Sequence, residues 1–209
     1  MRKLLLLFIT LAFSPKLFSQ KIFSEGIIKY DVFVNGTDNP DGVYILTVKN
    51  GFTRRELAMN SGYNNIIIYN TKTGITTSLN MDAGNKYALE MSAAEVMQKN
   101  KSFEKAVFVP GTEKKQLAGH LSTRSAVTYT NGDKAVFFYT GDLLPPNDSF
   151  NTMFPGLKGI PLEYEIKSAN NMMIRFVATT VETKSIDVKL FDIPKDYKIV
   201  TKKELENIR

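Results

Sequence analysis

Apolar and polar side chains alternate at every second residue along much of this chain. In a first run, Ile28, Tyr30 and Val32 take one side, while Lys29 and Asp31 take the other. Successive side chains of a β-strand point to opposite faces, so this period is typical of strands with one buried face. Helical spacing is much rarer in the sequence. The alternation therefore predicts a fold built on a β-sheet.

Short turn signals separate these runs. Asn50-Gly51 lies between residues 43–48 and 52–59, and both of its residues accept positive φ, which predicts a type I′ hairpin. Similar signals separate later runs: Asn131-Gly132 between 123–129 and 134–139, Lys72-Thr73-Gly74 between 66–69 and 75–79, and Asn170-Asn171 between two longer runs. Strands joined in this way are antiparallel neighbours. The chain is thus expected to form a succession of antiparallel strands.

The clearest alternation lies at residues 162–167. It sets three apolar side chains against three charged ones: Leu162, Tyr164 and Ile166 against Glu163, Glu165 and Lys167. Two later runs repeat the pattern: Ile174 and Phe176 opposite Arg175, and Ile186, Val188 and Leu190 opposite Asp187 and Lys189. We therefore expect strands at these positions, in one sheet that is covered on one side only.

Two capping boxes mark short helices. Ser92 with Glu95 opens a helix over residues 93–99, and Thr201 with Glu204 opens a turn toward Ile208. Two short helices against a large antiparallel sheet give a mainly β (α+β) fold class. A curved, half-open antiparallel sheet or barrel is the economical way to wrap one apolar face.

The N-terminus has the pattern of a secretory signal peptide. Arg2 and Lys3 precede an apolar run from Leu4 to Phe13, which is too short to span a membrane. We expect cleavage after Ser19, leaving residues 20–209 as a single domain without a membrane span. The chain has no cysteine, so it lacks the lipobox residue of bacterial lipoproteins. These features predict a periplasmic or secreted protein.

Composition excludes several classes of function. Without cysteine there is no disulfide framework, thiol nucleophile or zinc ribbon, and the lone His120 follows Gly119 at a predicted turn. Three of the 27 basic side chains lie in residues 1–19, so 24 remain against 21 acidic ones and the net charge falls from +6 to +3. The remaining lysines are scattered among acidic residues, which argues against nucleic acid as a partner. No glycine motif predicts a nucleotide.

Carboxylate pairs offer little support for catalysis. Glu163 and Glu165 lie on the predicted solvated face of a strand, where solvation explains them. Asp142 and Asp148 lack the ligand spacing of a calcium loop. The sequence contains no Gly-x-Ser-x-Gly elbow. We therefore predict a non-enzymatic protein with no catalytic residue, metal or cofactor.

An apolar cluster stands out in and after the irregular stretch 140–155. Its members are Phe150, Met153, Phe154, Leu157 and Ile160. Apolar side chains in such a loop either plug the open side of the sheet or line the mouth of a site for an apolar ligand. These five residues are the predicted ligand-binding rim.

The same stretch carries a resemblance to a known family. Phe154-Pro155-Gly156-Leu157-Lys158-Gly159-Ile160 resembles the Pro-Gly-Leu-Pro-Gly-Leu-Ile signature of the GLPGLI family of exported Gram-negative proteins and its relatives of unknown function. Matching neighbours cover most of residues 25–205: Gln116–His120, Arg124, Ala126, Val136–Thr140, Phe191–Pro194, Tyr197 and Lys198. Lys158 replaces the second proline, and the cysteine often seen after the glycine turn is absent. The chain thus resembles a relative of the family rather than a central member.

The resemblance implies a fold and two functional hypotheses. The strand succession is similar to the half-open barrel of periplasmic lipoprotein carriers (LolA-like proteins), in which an apolar concave face shelters acyl chains beneath short helices. The first hypothesis is a periplasmic module that binds a lipid, acyl chain or other apolar ligand on this face. The alternative is a structural or protein-interaction module of the cell envelope with a core filled by side chains. The sequence leaves the oligomeric state open.

Overall fold

The computed structural model describes residues 20–82, 84–147, 150–168 and 171–208. The predicted signal peptide and Asn170 lie outside the described residues. Within them the chain forms these strands: β1 Lys21–Ile22, β2 Glu25–Val34, β3 Gly42–Lys49, β4 Phe52–Met59, β5 Asn64–Asn70, β6 Thr76–Asp82, β7 Asn85–Met91, β8 Val107–Leu117, β9 His120–Thr128, β10 Lys134–Thr140, β11 Leu143–Leu144, β12 Ile160–Lys167, β13 Met173–Glu182 and β14 Lys198–Val200.

The helices are short. They are α1 Ala93–Lys99, α2 Lys202–Ile208 and two 3-10 helices, Lys101–Phe103 and Val188–Phe191. Both predicted capping boxes are confirmed: Ser92 and Glu95 bond reciprocally at the start of α1, and Thr201 and Glu204 do the same at α2. Across the described ranges, every helix is too short or too polar to cross a bilayer.

Twelve strands form one open sheet, in the order β14-β7-β6-β5-β4-β3-β2-β13-β12-β10-β9-β8. Neighbouring strands are antiparallel except β14, which pairs parallel to β7, and the two ends of the sheet, β14 and β8, remain edges. β1 and β11 form a separate parallel pair. The predicted fold class, mainly β with a curved, half-open antiparallel sheet and short helices, is confirmed.

The hairpin predictions are also confirmed. Asn50 (φ 42°) and Gly51 (φ 93°) connect β3 to β4 with the positive φ values that a type I′ turn requires. Lys72 to Gly74 connects β5 to β6. Asn131-Gly132 lies in the connection between β9 and β10, which is longer than two residues and is closed by a hydrogen bond from Tyr129 N to the carbonyl of Asp133.

The largest core lies on the concave face of the sheet. Strand pairing aligns Ile28 of β2 with Leu46 of β3, and Val32 of β2 with Phe176 of β13, so their side chains share this face. All four are buried. Leu162 and Ile160 of β12 join the same cluster. The period-two pattern therefore positions the apolar surface as the sequence predicts.

The expectation of a sheet covered on one side only is wrong for β5–β7. Their outer face carries Ile68, Leu79 and Ala88, which are buried against Ile186 and Phe191 from the C-terminal segment. The predicted strand at residues 186–190 is also wrong. Asp187 caps the 3-10 helix Val188–Phe191 by accepting a hydrogen bond from Lys189 N, and this segment packs on the outer face of the sheet instead of forming a strand.

Glu163 departs from the predicted solvated face as well. Glu163 is only 9% exposed. Its carboxylate is paired with Lys115, and its Oε1 lies 3.8 Å from Nη1 of Arg175. Each cation in turn packs over an aromatic ring, Lys115 over Phe138 and Arg175 over Phe33. Glu165 and Lys167 are exposed as predicted. Lys115 of β8 and Arg175 of β13 thus supply the cations that permit burial of this carboxylate.

Candidate functional site: a cavity under helix α1

A cavity of about 740 Å³ lies between the concave face of the sheet and the segments that cover it. Cavities of roughly 300–1,000 Å³ are the usual size for small-molecule sites. Its floor is formed by the inward-facing side chains of neighbouring strands: Tyr30, Tyr44, Leu46, Arg55, Ile67, Tyr69, Thr76, Met91, Tyr164 and Ile166. Side chains thus leave a void on this part of the concave face instead of filling it.

The cover on one side is α1 with the 3-10 helix that follows. Ala93, Val96 and Met97 of α1 and Phe103 of the 3-10 helix line the cavity. None of the α1 residues is buried, and Met97 is 64% exposed. An apolar helix face that borders a void is less shielded from solvent than one packed on a core. The cavity is therefore open to solvent beside α1.

The cover on the other side is the segment of residues 150–155. Phe150 and Phe154 are buried, and Met153 is half-buried. The buried Asn151 fixes this segment by donating a 2.9 Å hydrogen bond from Nδ2 to the carbonyl of Gly159. At Gly159 a Cβ would collide with the carbonyl oxygen of Thr140, so the close approach of the two chain segments requires glycine there.

The five residues of the predicted rim lie in two different environments. Phe150, Met153 and Phe154 line the cavity. Ile160 is fully buried in the main core. Leu157 packs with Phe154 in a third cluster and borders a smaller depression of about 260 Å³. The segment thus places three of these side chains on the wall, and the other two pack beside it.

Three tyrosines of the floor were not singled out from the sequence. The rings of Tyr30 and Tyr44 are 5.5 Å apart, and those of Tyr30 and Tyr164 are 6.0 Å apart. Tyr30 donates a 2.9 Å hydrogen bond to the carbonyl of Pro161. Tyr44 and Tyr164 are half-buried, and both border the cavity. Each tyrosine lies on the apolar side of the alternation in its strand, β2, β3 or β12. This position indicates a shared surface only once the strand pairing is known.

Arg55 was also missed. It lies in β4, where it pairs with Leu46 of β3 and Ile67 of β5, so a guanidinium sits in an otherwise apolar part of the floor. Its Nη2 donates a 3.0 Å hydrogen bond to the carbonyl of Phe150. Arg55 also lies close enough to Tyr44 to oppose the rise that burial causes in the pKa of its phenol. Arg55 therefore links the floor to the cover segment.

Alkaline titration should reveal the buried phenols. Burial raises the pKa of Tyr30 and Tyr164 well above 10.0, raises that of Tyr44 less because Arg55 opposes it, and raises the pKa of Tyr129 to about 12. The folded protein holds these protons more tightly than the unfolded chain does. Their contribution to stability is therefore complete below pH 10 and is lost as the pH rises above it.

We expect tyrosinate absorbance to develop at higher pH in the folded protein than in the urea-denatured chain. The free energy of unfolding should fall over the same range. Tyr63→Phe provides the control, because Tyr63 is exposed and its loss should leave the fall in the free energy of unfolding unchanged. Coincident folded and denatured titration curves would contradict the burial of these phenols.

Of the other polar residues considered from the sequence, Asp148 lies outside the described residues, and His120, Asp142, Glu163 and Glu165 do not line the cavity. His120 Nδ1 is 3.7 Å from an Asp142 carboxylate oxygen, near the start of β9. Glu163 and Glu165 belong to the outer face of β12. Within residues 20–82, 84–147, 150–168 and 171–208, no group of three or more histidine, aspartate or glutamate side chains is arranged to hold a metal ion.

Comparison with known proteins tests the fold rather than the family. No family model and no curated protein matches the chain, so membership of the GLPGLI family stays a prediction. A solved structure of PNGF-II matches 88% of this chain with a TM-score of 0.53 at 16% identity. The match spans only 33% of the PNGF-II chain. This likeness shows a shared fold, present there within a longer protein.

Two further solved structures match at lower TM-scores. The Pseudomonas aeruginosa MucA/MucB complex matches 86% of this chain and 60% of that chain, with 14% identity and a TM-score of 0.42. A LolA superfamily protein from Nitrosomonas europaea matches 83% of this chain and 92% of that chain, with 7% identity and a TM-score of 0.36.

Proposed function

We propose that this protein is a non-enzymatic periplasmic binding protein that holds a lipid or other apolar ligand in the cavity under α1. The observation that carries the proposal is the void of about 740 Å³ on the concave face of the sheet. A void lined by apolar and aromatic side chains with few polar groups is the usual form of a site for such ligands.

The cover segments support this function. Met97 is largely exposed beside the opening, and Met153 borders the cavity from the opposite cover. Methionine side chains are flexible and polarisable, so they adapt to chains of different shape. A ligand would shield the apolar faces of α1 and residues 150–155 from water. This gain favours occupancy of the cavity by an apolar molecule.

The N-terminal sequence supports a periplasmic location for this binding protein. Residues 1–19 serve as a signal peptide in this proposal, and the mature domain from residue 20 works in the periplasm or beyond it. The alternative, an interaction module of the envelope, called for an interior filled by side chains. The void favours ligand binding over that alternative.

The test is to purify the exported protein under non-denaturing conditions, extract it with organic solvent and identify the extract by mass spectrometry. We expect lipid or another apolar compound in near-stoichiometric amount. Protein treated in parallel after unfolding and refolding in lipid-free buffer is the control, and it should yield none. An empty extract, together with no binding of added dodecanol or dodecanoate, would overturn the proposed function.

A further inference from the structure

Aromatic side chains line one part of the cavity on both of its sides. Tyr30, Tyr44 and Tyr164 belong to the floor, and Phe150 and Phe154 belong to the cover segment. The ring centre of Tyr164 lies 6.0 Å from that of Tyr30 and 5.7 Å from that of Phe154. Strands β2, β3 and β12 thus present an aromatic wall that faces the aromatic side chains of residues 150–155.

Such a wall favours a flat, unsaturated ring over an alkyl chain. Aromatic rings attract one another in offset-stacked or edge-to-face arrangements, and each pair adds to what the burial of apolar area contributes. A flat ring bound between the floor and the cover segment contacts aromatic side chains on two sides. An alkyl chain in the same place gains from the burial of its area alone.

The hydroxyl of Tyr164 offers a hydrogen-bond donor to this ring. The Tyr30 hydroxyl already donates to the carbonyl of Pro161, whereas no described residue accepts a hydrogen bond from Tyr164. The Tyr164 ring is stacked on Phe176 with 4.9 Å between ring centres, which fixes its position. Tyr164 borders the cavity, and its hydroxyl is not enclosed by protein as that of Tyr129 is. A ligand in the cavity can therefore supply the missing acceptor.

The surroundings of this hydroxyl favour a neutral acceptor. Burial raises the pKa of Tyr164 well above 10.0, although the nearby Arg55 opposes the rise. The phenol therefore keeps its proton at physiological pH, and a negative charge is disfavoured at this position. An ionised ligand group bound there would meet the same cost of leaving water. A carbonyl oxygen accepts the hydrogen bond without carrying a charge into the site.

We propose that the ligand contains a flat, unsaturated ring with a neutral carbonyl oxygen, as in a quinone, and that this oxygen accepts a hydrogen bond from the Tyr164 hydroxyl. The inference rests on the proposed function and specifies its ligand class. Tyr164 is then the residue that selects a ring carbonyl over the same ring without oxygen.

The experiment compares three probes that share one carbon skeleton: menadione, a quinone; methylnaphthalene, the same ring system without carbonyl groups; and methyldecalin, its saturated analogue. Equilibrium dialysis against the delipidated mature protein at neutral pH measures each affinity. Each value is divided by the partition coefficient of the probe from water into hexadecane, so that general hydrophobicity cancels. The chain has no cysteine, so menadione meets no thiol with which to react.

Two preferences are expected of the wild-type protein. Contacts with the aromatic wall should give methylnaphthalene a corrected affinity at least about fivefold above that of methyldecalin. The hydrogen bond from Tyr164 should give menadione a corrected affinity at least about fivefold above that of methylnaphthalene.

Variants locate the second preference. Tyr164→Phe keeps the ring and removes the hydroxyl, so the ratio of menadione to methylnaphthalene affinity should fall by at least about fivefold, while methylnaphthalene affinity stays within about twofold. Tyr129→Phe is the matched control. Its hydroxyl is buried without a partner and does not line the cavity, so its loss should leave the ratio unchanged.

The outcomes separate the two proposals. Absence of binding for all three probes and for dodecanol overturns the proposed function and this inference with it. Loss of either preference in the wild-type protein overturns the inference, while binding of the probes leaves the apolar site in place. A menadione preference that survives in a folded Tyr164→Phe protein also overturns it. If that variant does not fold, the two preferences of the wild-type protein decide.

Discussion

Replacement of Ile67 by tryptophan is expected to leave the protein without bound lipid. Ile67 is half-buried in the middle of the floor, beside Arg55, and its side chain points into the void. An indole there occupies space that an alkyl chain would need. We expect the affinity for dodecanol and dodecanoate to fall by at least about tenfold, or about 1.4 kcal/mol. Titration calorimetry and mass spectrometry of solvent extracts measure the two effects.

The control is Val43→Trp, which adds the same indole elsewhere. Val43 lies on the outer face of β3 and is 40% exposed, so the larger side chain extends into solvent. This variant should bind and co-purify with ligand like the wild type. Wild-type binding by a folded Ile67→Trp protein would show that the lipid lies elsewhere on the molecule.

Phe137→Ala is expected to give the largest loss of stability among the substitutions considered. Phe137 is 1% exposed, and its ring centre lies 4.5 Å from that of Phe154 and about 6 Å from those of Phe108 and Tyr139. Truncation removes these contacts and leaves a cavity that β10 cannot close. We expect the free energy of unfolding, from urea denaturation, to fall by about 3–5 kcal/mol.

Val136→Ala is the matched control in the neighbouring position. Val136 lies on the outer face of the same strand and is 42% exposed. Its truncation should change the free energy of unfolding by no more than about 0.5 kcal/mol. Similar values for the two variants would contradict the packing of Phe137 against the cover segment. Because Phe154 also lines the cavity, ligand binding by Phe137→Ala should weaken in parallel.

Much of the strand framework could be predicted because it depends on local patterns. Alternation fixes which side chains share a face, and Asn50-Gly51 fixes a turn by its φ values. The order of strands across the sheet depends on long-range pairing. β2 pairs with both β3 and β13, and the second pairing joins residues nearly 150 positions apart, such as Tyr30 and Ala178. No local signal in either strand specifies that partner.

The same limit applies to the site. Phe150, Met153 and Phe154 were predicted because apolar residues are conspicuous in an irregular segment rich in proline. Arg54 and Arg55 are adjacent and chemically alike, and only the facing of β4 places Arg55 inside and Arg54 outside. Ile186, Val188 and Leu190 alternate like a strand. The Asp187 cap and the apolar outer face of β5–β7 decide their structure instead.

The C-terminal segment completes the packing of strands that are synthesised much earlier. Ile68, Leu79 and Ala88 are shielded by Ile186 and Phe191, which enter the chain about a hundred residues later during synthesis. β14 then adds the last strand beside β7. The apolar outer face of β5–β7 therefore stays exposed to water until the C-terminal segment has been synthesised. Stable packing of this face therefore requires residues from both halves of the chain, which makes its folding depend on long-range contacts.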